Sequence, residues 1–291
     1  MIKDERHFQE IMLGVDEEMI REQIPVFRRT LVAFRKVSEK LNIDFPLGGF
    51  GFTNTSPRVG IYSGHDLSLR IQKWVSEKYG DKLKFDFDLG AIAVEITGAV
   101  YKLRLPMVYG KIGVFLDHKS VGKTSASGGL NLFSMIVDLT PGLAAQLPNA
   151  ECEKLLSLFL LGMNVFNSMR ANESEFLSIA QSDFRTATSH LLHQPPELGL
   201  AKWAILQAVE KIIKDYIMRH GGNFNKQKGH NLAYLADIAE QQGLPALDKA
   251  DLAKIQCDAG IRYREPQIPV SEVLLAQNTA LKISLRVLNF T

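Results

Sequence analysis

Two arginines and a tyrosine stand together near the carboxyl-terminal end of the sequence, in the segment GIRYREPQIPVSE. Arg262 and Arg264 flank Tyr263, and two prolines follow before the last apolar run. A guanidinium group can hold a phosphate through two parallel hydrogen bonds, so this pair is a candidate phosphate contact. The alternative is a structural role, in which an arginine bridges helix ends and Arg264 pairs with Glu265 or with solvent.

A second set of reactive residue types is Arg185 followed by His190, in RTATSH. Imidazole transfers protons near neutral pH, and guanidinium stabilises negative charge. On one continuous helix, a separation of five residues places the two side chains about 140° apart. They therefore converge only if the helix is broken between them. Otherwise His190 and His193 are expected to be surface or half-buried helix residues.

Two shorter motifs also suggest chemistry. The GKT at residues 122–124 lacks the earlier glycine of a phosphate-binding loop, because Asp117 occupies that position. The residues after it resemble a loop and not the helix that would complete an anion site, so the motif is rejected. His65 and Asp66 are adjacent, which fits either a base with its orienting carboxylate or a helix start with Asp66 near the cap.

The amino-acid composition limits the classes of protein to which this chain can belong. The 291 residues carry 34 Lys and Arg against 32 Asp and Glu, a net charge of +2, so any contact with nucleic acid must rely on a local patch. Cys152 and Cys257 match no metal or redox spacing and are expected to be free thiols. The most hydrophobic run, Leu155 to Phe166, is too short to span a bilayer, and the amino-terminal residues lack an apolar signal core. The sequence predicts a cytoplasmic protein with no membrane partner.

Residues 1–172 predict an α+β domain of unknown role. Asp16 fits the cap of a first helix, which Pro25 restarts or kinks. A strand is predicted at Arg58–Ser63. The amphipathic spacing of Asp66–Tyr79 predicts a helix.

Alternating apolar and polar residues predict an antiparallel sheet with helices on one side. The clearest case is LKFDFDL, Leu83 to Leu89, in which every second residue is apolar. Its Asp86 and Asp88 share one strand face, and the solvent side of a half-buried strand explains them more simply than a metal site. We therefore expect no metal. The further predicted strands are Ile92–Ile96, Tyr101–Leu105, Lys111–Leu116 and Leu130–Asp138.

Residues 173–291 predict an antiparallel helical bundle, and the boundary between two domains is placed near residue 172. Prolines and glycines separate segments that have apolar residues at helical spacing. In the segment Leu200–His220, Glu210 and Lys214 form an i,i+4 pair in the favourable order. The predicted helices of the bundle are Glu173–His193, Leu200–His220, His230–Gln242, Lys249–Ala259 and Ser271–Leu288, and a further predicted helix, Glu151–Arg170, precedes the boundary.

Four segments of this bundle occur in a characteristic order: SDFRTATSHLL, LQAVEKIIKDYIMRHGG, HNLAYLADIAEQQGL and GIRYREP. In this order they resemble a HEPN domain, over about residues 177 to 288. That family is a small antiparallel helical bundle, usually dimeric, with a Q-x-x-E-K-like helix, an H-[DN]-L helix start and an Arg-Tyr near the final helix. The matching residues are Gln207, Glu210, Lys211, His230, Asn231, Leu232, Arg262 and Tyr263.

The resemblance also implies what is missing. Active HEPN ribonucleases carry an arginine and, some four to six residues later, a histidine at the start of the last helix. Counted from Arg262 or Arg264, that histidine would fall between Gln267 and Ser271, and none stands there. The phosphate-binding half of such a site is thus present without its proton-transferring half. The expected phosphate-binding residues are Arg262, Arg264, Tyr263, Lys211 and Lys214.

Three hypotheses for function follow. The first is a dimeric RNA- or nucleotide-binding module without a complete nuclease site, which needs no cofactor. The second is a metal-independent ribonuclease of a toxin or defence system, whose histidine comes from elsewhere, with Arg185, His190 and His230 as candidate catalytic residues. The third is a structural bundle that dimerises an amino-terminal ligand-sensing domain. All three imply a homodimer formed through the carboxyl-terminal bundle.

Overall fold

The protein, seen in a computed structural model, belongs to the predicted α+β class, mostly helical with a small antiparallel sheet. The structure describes residues 2–43, 56–83, 88–108, 110–121, 129–172, 174–263 and 268–290. Two compact units divide the chain, Met1–Asp86 and Phe87–Thr291. The change to all-helical sequence near residue 172 falls inside the second unit, whose sheet and helices share one hydrophobic core. Of the helices described, none combines the length and apolar character that crossing a bilayer requires.

The described residues of the first unit form three packed helices, α1 (Glu5–Arg21), α2 (Arg29–Leu41) and α3 (Gly64–Tyr79). Helix α1 begins well before Asp16, because the Asp4 side chain accepts a hydrogen bond from the main-chain N–H of His7 and caps the helix there. The prediction that Asp16 caps a helix is therefore wrong. Its carboxylate is buried in the middle of α1 and accepts a 2.7 Å hydrogen bond from Lys78 Nζ.

The predicted strand at Arg58–Ser63 is also wrong, because this segment is a turn that leads into α3. Gly60 adopts a φ of +74°, which a regular strand excludes. The main-chain N–H and the guanidinium of Arg58 both donate to Asp66. These bonds lower the pKa of Asp66 to about 2. Asp66 thus anchors the turn to the first turn of α3 and does not serve to orient a catalytic His65.

The second unit contains the predicted antiparallel hairpin, β1 (Asp88–Ile96) and β2 (Ala99–Pro106). Thr97 and Gly98 turn the chain with φ angles of +49° and +80°, as a tight hairpin turn requires. Across the hairpin, Arg104 Nε lies 2.6 Å from the carboxylate of Asp88. The prediction that Asp88 lies on the solvent side of the strand is therefore wrong, because its carboxylate is buried and forms this ion pair. Asp86 lies outside the described residues.

Beyond this hairpin, the predicted meander is reduced in the described residues to one antiparallel bridge, between Leu103 of β2 and Ile136. Strands β3 (Val114–Phe115) and β4 (Leu130–Asn131) are short and pair in parallel. The segment Leu132–Met135 forms a 3₁₀ turn and not a strand, because the Asn131 side chain accepts a hydrogen bond from the Phe133 N–H and caps the turn. The GKT motif lies outside the described residues.

Helices complete the second unit, with bounds close to those expected from the apolar spacing. Helix α7 is central: α6 and α10 pack on it, and many of its residues are buried. Its neighbour α9 ends at Ile255, earlier than predicted, and a 3₁₀ turn at Ala259–Tyr263 follows. The described helices are α4 (Pro141–Ala144), α5 (Asn149–Ala171), α6 (Glu175–Leu192), α7 (Leu198–Arg219), α8 (Leu232–Gln241), α9 (Lys249–Ile255) and α10 (Val270–Leu288).

Side chains from α6 and α10 close the outer edge of β1, the edge that faces away from β2. The buried Gln277 amide pairs with both main-chain groups of Ala93, accepting from N–H at 3.0 Å and donating to C=O at 2.9 Å. Thr188 donates to the carbonyl of Ala91 at 3.0 Å, and Gln181 donates to that of Leu89. Because an unpaired edge group inside the core is costly, these helix side chains take the place of a third strand.

Replacing Gln277 by leucine should destabilise the second unit. Leucine has a similar volume but leaves the buried N–H and C=O of Ala93 without partners, which costs about 2–4 kcal/mol. Urea unfolding followed by circular dichroism measures the loss. Leu275→Ala, an exposed position on the same helix, should change stability by less than about 0.5 kcal/mol. Equal unfolding midpoints for Gln277→Leu and the unaltered protein would show that Gln277 does not close the edge.

Candidate functional site

Arg262 belongs to the 3₁₀ turn that precedes α10, and its guanidinium lies over two aromatic rings. Its guanidinium carbon is 4.6 Å from the ring centroid of Trp203 and 5.1 Å from that of Tyr263. Its Nε donates to the Ala259 carbonyl at 3.1 Å, which holds the guanidinium plane in place. No carboxylate of the described residues forms an ion pair with it. The terminal N–H groups of Arg262 therefore remain available to an anion.

A groove opens beside Arg262, with a volume of about 660 Å³. Its second wall is the loop between α6 and α7, from His193 to Glu197, in which Pro195 and Pro196 end one helix before the next begins. Tyr263 stands at the groove with 81% of its surface exposed. We call this feature the Arg262 groove. Its volume is within the range of ligand sites in proteins.

Two histidines share one carboxylate at this groove. Nδ1 of His190 is 2.5 Å from Oε2 of Glu197, and Nδ1 of His193 is 3.0 Å from the same oxygen. The hydrogen bond with His190 is the main reason that the pKa of Glu197 is lowered, and the charge of His193 adds to it. His193 and Glu197 both line the Arg262 groove. The structure therefore brings an imidazole and Arg262 to one groove from distant parts of the sequence.

The predicted pair of Arg185 and His190 does not form a site. The guanidinium of Arg185 donates to the carbonyls of Asp88 and Leu89, at 2.9 and 2.7 Å, and so belongs to the closure of the β1 edge. His190 turns to Glu197 instead. Because α6 continues unbroken through both residues, the separation by about 140° holds and the two side chains diverge.

His230 also lies against Trp203. The two rings are 5.8 Å apart between centroids, and Nδ1 of His230 is 2.8 Å from Oε2 of Glu210. Glu210 is buried, and Gln207 also donates to it, at 2.9 Å. The imidazole of His230 is therefore held by a buried carboxylate of α7.

Lys211 and Lys214 are both engaged by carboxylates within the bundle. Lys214 pairs with the buried Glu210, and Lys211 Nζ lies 2.7 Å from Asp183. Burial raises the pKa of Asp183, and the bond from Lys211 opposes that shift. A phosphate would have to displace a carboxylate to reach either lysine. Arg264, the remaining predicted phosphate contact, lies outside the described residues.

Nucleophilic cysteine and metal chemistry find little support in the described part of the chain. Burial raises the pKa of the Cys257 thiol to about 11, so this residue stays protonated and unreactive near neutral pH. No group of three histidine, cysteine, aspartate or glutamate side chains is arranged to hold a metal ion in the described ranges.

Sequence reasoning missed the part played by His193, Glu197 and Trp203. The signal was present in HLLHQPPE, in which two histidines three residues apart precede a Pro-Pro break and then a glutamate. The break allows Glu197 to return to the end of α6. Nothing in the spacing of Trp203, an apparent core residue of α7, predicts that it supports an arginine from a segment far along the chain.

Comparison with protein-family models, with curated proteins and with solved structures gives no match to this chain. The resemblance to HEPN domains therefore stays a prediction that rests on the sequence motifs.

Changing Glu197 to glutamine should remove a pH-dependent part of the stability. The folded protein lowers the pKa of this carboxyl below its ordinary value of 4.5. Its contribution is therefore complete above pH 4.5 and is lost as the pH falls through the lower, folded-state pKa. Urea midpoints of the unaltered protein and Glu197→Gln should differ at pH 6 and converge on acidification. The exposed Glu175→Gln serves as the control and should show no such convergence; a constant difference for Glu197→Gln would contradict the assignment.

Proposed function

We propose that the carboxyl-terminal bundle binds a nucleotide, either free or as part of an RNA strand, in the Arg262 groove. The observation that carries this proposal is the position of Arg262. Its guanidinium lies over the ring of Trp203, is bonded through Nε to its own turn, and lacks a carboxylate partner among the described residues. A guanidinium group held in this way is ready to bind a phosphate with little loss of side-chain entropy.

The aromatic side chains suit the other half of a nucleotide. Tyr263 presents an exposed ring beside the groove, and bases stack on such rings whatever their sequence. With a net charge of +2, the chain has no general attraction for polyanions, so binding would depend on this local site. Lys211 and Lys214 then act by neutralising Asp183 and the buried Glu210, and Arg262 carries the phosphate contact.

The HEPN resemblance adds a homodimer to the proposal. If the bundle dimerises, each chain contributes one Arg262 groove, and binding should saturate at one nucleotide per chain. Sedimentation of the free protein measures the oligomeric state independently of ligand. The proposed cytoplasmic location rests on the sequence alone.

A metal-independent ribonuclease is the second candidate, because His193 lines the same groove as Arg262. The missing histidine of the last helix would then be replaced by one from the loop after α6. Imidazole would take the proton of a ribose 2′-hydroxyl, whose oxygen bonds to the adjacent phosphorus while the bond from phosphorus to the 5′-oxygen breaks and that oxygen takes a proton from water. Arg262 would stabilise the charge that develops on the phosphate oxygens.

Binding of a fluorescein-labelled ten-nucleotide uridine RNA, followed by anisotropy, tests the first candidate. Arg262→Ala should weaken binding about 10- to 100-fold, since a charge-assisted contact is lost. Tyr263→Ala should weaken it by about fivefold or more, and Tyr263→Phe should not. Arg286→Ala removes the same charge from an exposed site on α10 outside the groove and should leave affinity within about twofold. Equal losses in Arg262→Ala and Arg286→Ala would contradict the proposed site.

The same RNA, incubated in EDTA and resolved by electrophoresis, separates the candidates. Cleavage that disappears in Arg262→Ala, in His193→Ala and with 2′-deoxyuridine at every position, but persists in Arg286→Ala, would establish the ribonuclease. Binding without cleavage supports the binding module. A stable dimer that binds neither RNA nor uridine nucleotides would favour the structural hypothesis, in which the bundle dimerises an amino-terminal sensor.

A further inference from the structure

A second groove lies elsewhere in the second unit, at the end of the outer β1 edge. Its volume is about 500 Å³. One side is the strand from Ala93 to Glu95 with the hairpin turn, and the other sides are the first turns of α5 and α10. We call it the β1-edge groove. None of the residues named for the Arg262 groove lines it.

The closure of the β1 edge stops where this groove begins. Helix side chains bond to the outward main-chain groups of Leu89, Ala91 and Ala93, as described above. Residues two apart on a strand direct their main-chain groups to the same edge, so the N–H and C=O of Glu95 also point outward. In the described part of the chain, no side chain caps them. The main-chain N–H and C=O of Glu95 are therefore open to pairing with another segment.

The fold shows which chemical group suits that position. At Ala93 the edge is paired by the side-chain amide of Gln277, which supplies one acceptor and one donor. The main-chain groups of Glu95 offer the same pair, and a peptide group supplies the same complement. An extended peptide that adds to the β1 edge would continue the pattern that Gln277 begins.

The walls of the groove favour a peptide with apolar and basic side chains. Leu155 and Leu274 form an apolar floor, and Leu275 stands half-exposed at its side. At the rim, Lys154 pairs with Glu151 at 2.7 Å, which leaves the carboxylate of Glu95 in excess. The groove thus presents uncompensated negative charge beside an apolar surface.

Asn278 gives independent support. It lines the groove, yet its Oδ1 is buried and has no hydrogen-bond partner in the described residues. A buried acceptor without a partner destabilises a folded chain and is rare in native structures, which suggests a role in binding. An approaching N–H donor, with a small rotation of the Asn278 side chain, would satisfy it.

We propose that the β1-edge groove binds an extended peptide segment with alternating aliphatic and basic side chains, which pairs through its main chain with Glu95. This proposal is independent of nucleotide binding in the Arg262 groove. Arg262→Ala should leave peptide binding unchanged.

The test uses a fluorescein-labelled, amidated hexapeptide of alternating valine and lysine, titrated with the 291-residue protein. Glu95→Ala removes the side-chain carboxylate and keeps the main-chain donor. Glu95→Pro also removes the outward N–H, and it spares the bonds to β2 because those groups face the other way. We expect Glu95→Pro to bind about three- to tenfold more weakly than Glu95→Ala, as loss of one hydrogen bond predicts. Thermal unfolding confirms that both variants fold.

A peptide N-methylated at alternate residues tests the same contact from the ligand side, even if Glu95→Pro fails to fold. It should bind at least about threefold more weakly than the unmodified peptide. Equal binding by the two peptides would show that charge alone is responsible and would overturn the proposal. Absence of binding at millimolar peptide, or equally tight binding of a single capped valine amide, would also overturn it. Self-association of the protein that Glu95→Pro abolishes would assign the edge to a second copy of the chain instead.

Discussion

The second unit depends on how the outer edge of β1 is closed. A hairpin of two strands cannot bury its face and both edges without help, and this chain supplies that help from helix side chains. Gln277 of α10 and Thr188 of α6 bond to alternate residues of the strand. Each bond satisfies a main-chain group that would otherwise be buried in the core without a hydrogen-bond partner. The same bonds fix α6 and α10 relative to the sheet.

Both candidate sites follow from the placement of these two helices. Helix α6 ends at the Pro-Pro break, so its position decides where His193 and Glu197 stand. The segment before α10 carries Arg262, which rests on Trp203 of the central helix α7. At the far end of the strand, the first turns of α10 and α5 border the β1-edge groove. One network of edge bonds therefore supports the proposed anion site at one place and the proposed peptide site on the strand edge at another.

Much of the architecture was predictable, because periodicity reports burial directly. Alternation in β2 and helical spacing in α7 and α10 identified those elements close to their true bounds. The errors arose where a polar side chain changed the local structure. Asp4, not Asp16, caps α1, and Arg58 bound to Asp66 converts an apparent strand into a turn.

The sites were less predictable than the fold. Gln277 interrupts an apolar helix face, and no local pattern shows that its partner is a strand far earlier in the chain. The sequence drew attention to Arg262 and to Arg185, yet the two have different roles: one lies at a groove and the other holds main-chain carbonyls. Residue type was the same in both cases, and tertiary contacts decided the difference.

The most direct test of edge closure is amide hydrogen exchange measured by NMR. The N–H of Ala93 donates to Gln277, whereas that of Glu95 faces the β1-edge groove. We expect the Ala93 amide to exchange only through global unfolding and the Glu95 amide to exchange far faster, although the two lie on the same edge of one strand. Similar, rapid exchange at both amides would contradict the claim that helix side chains close this edge.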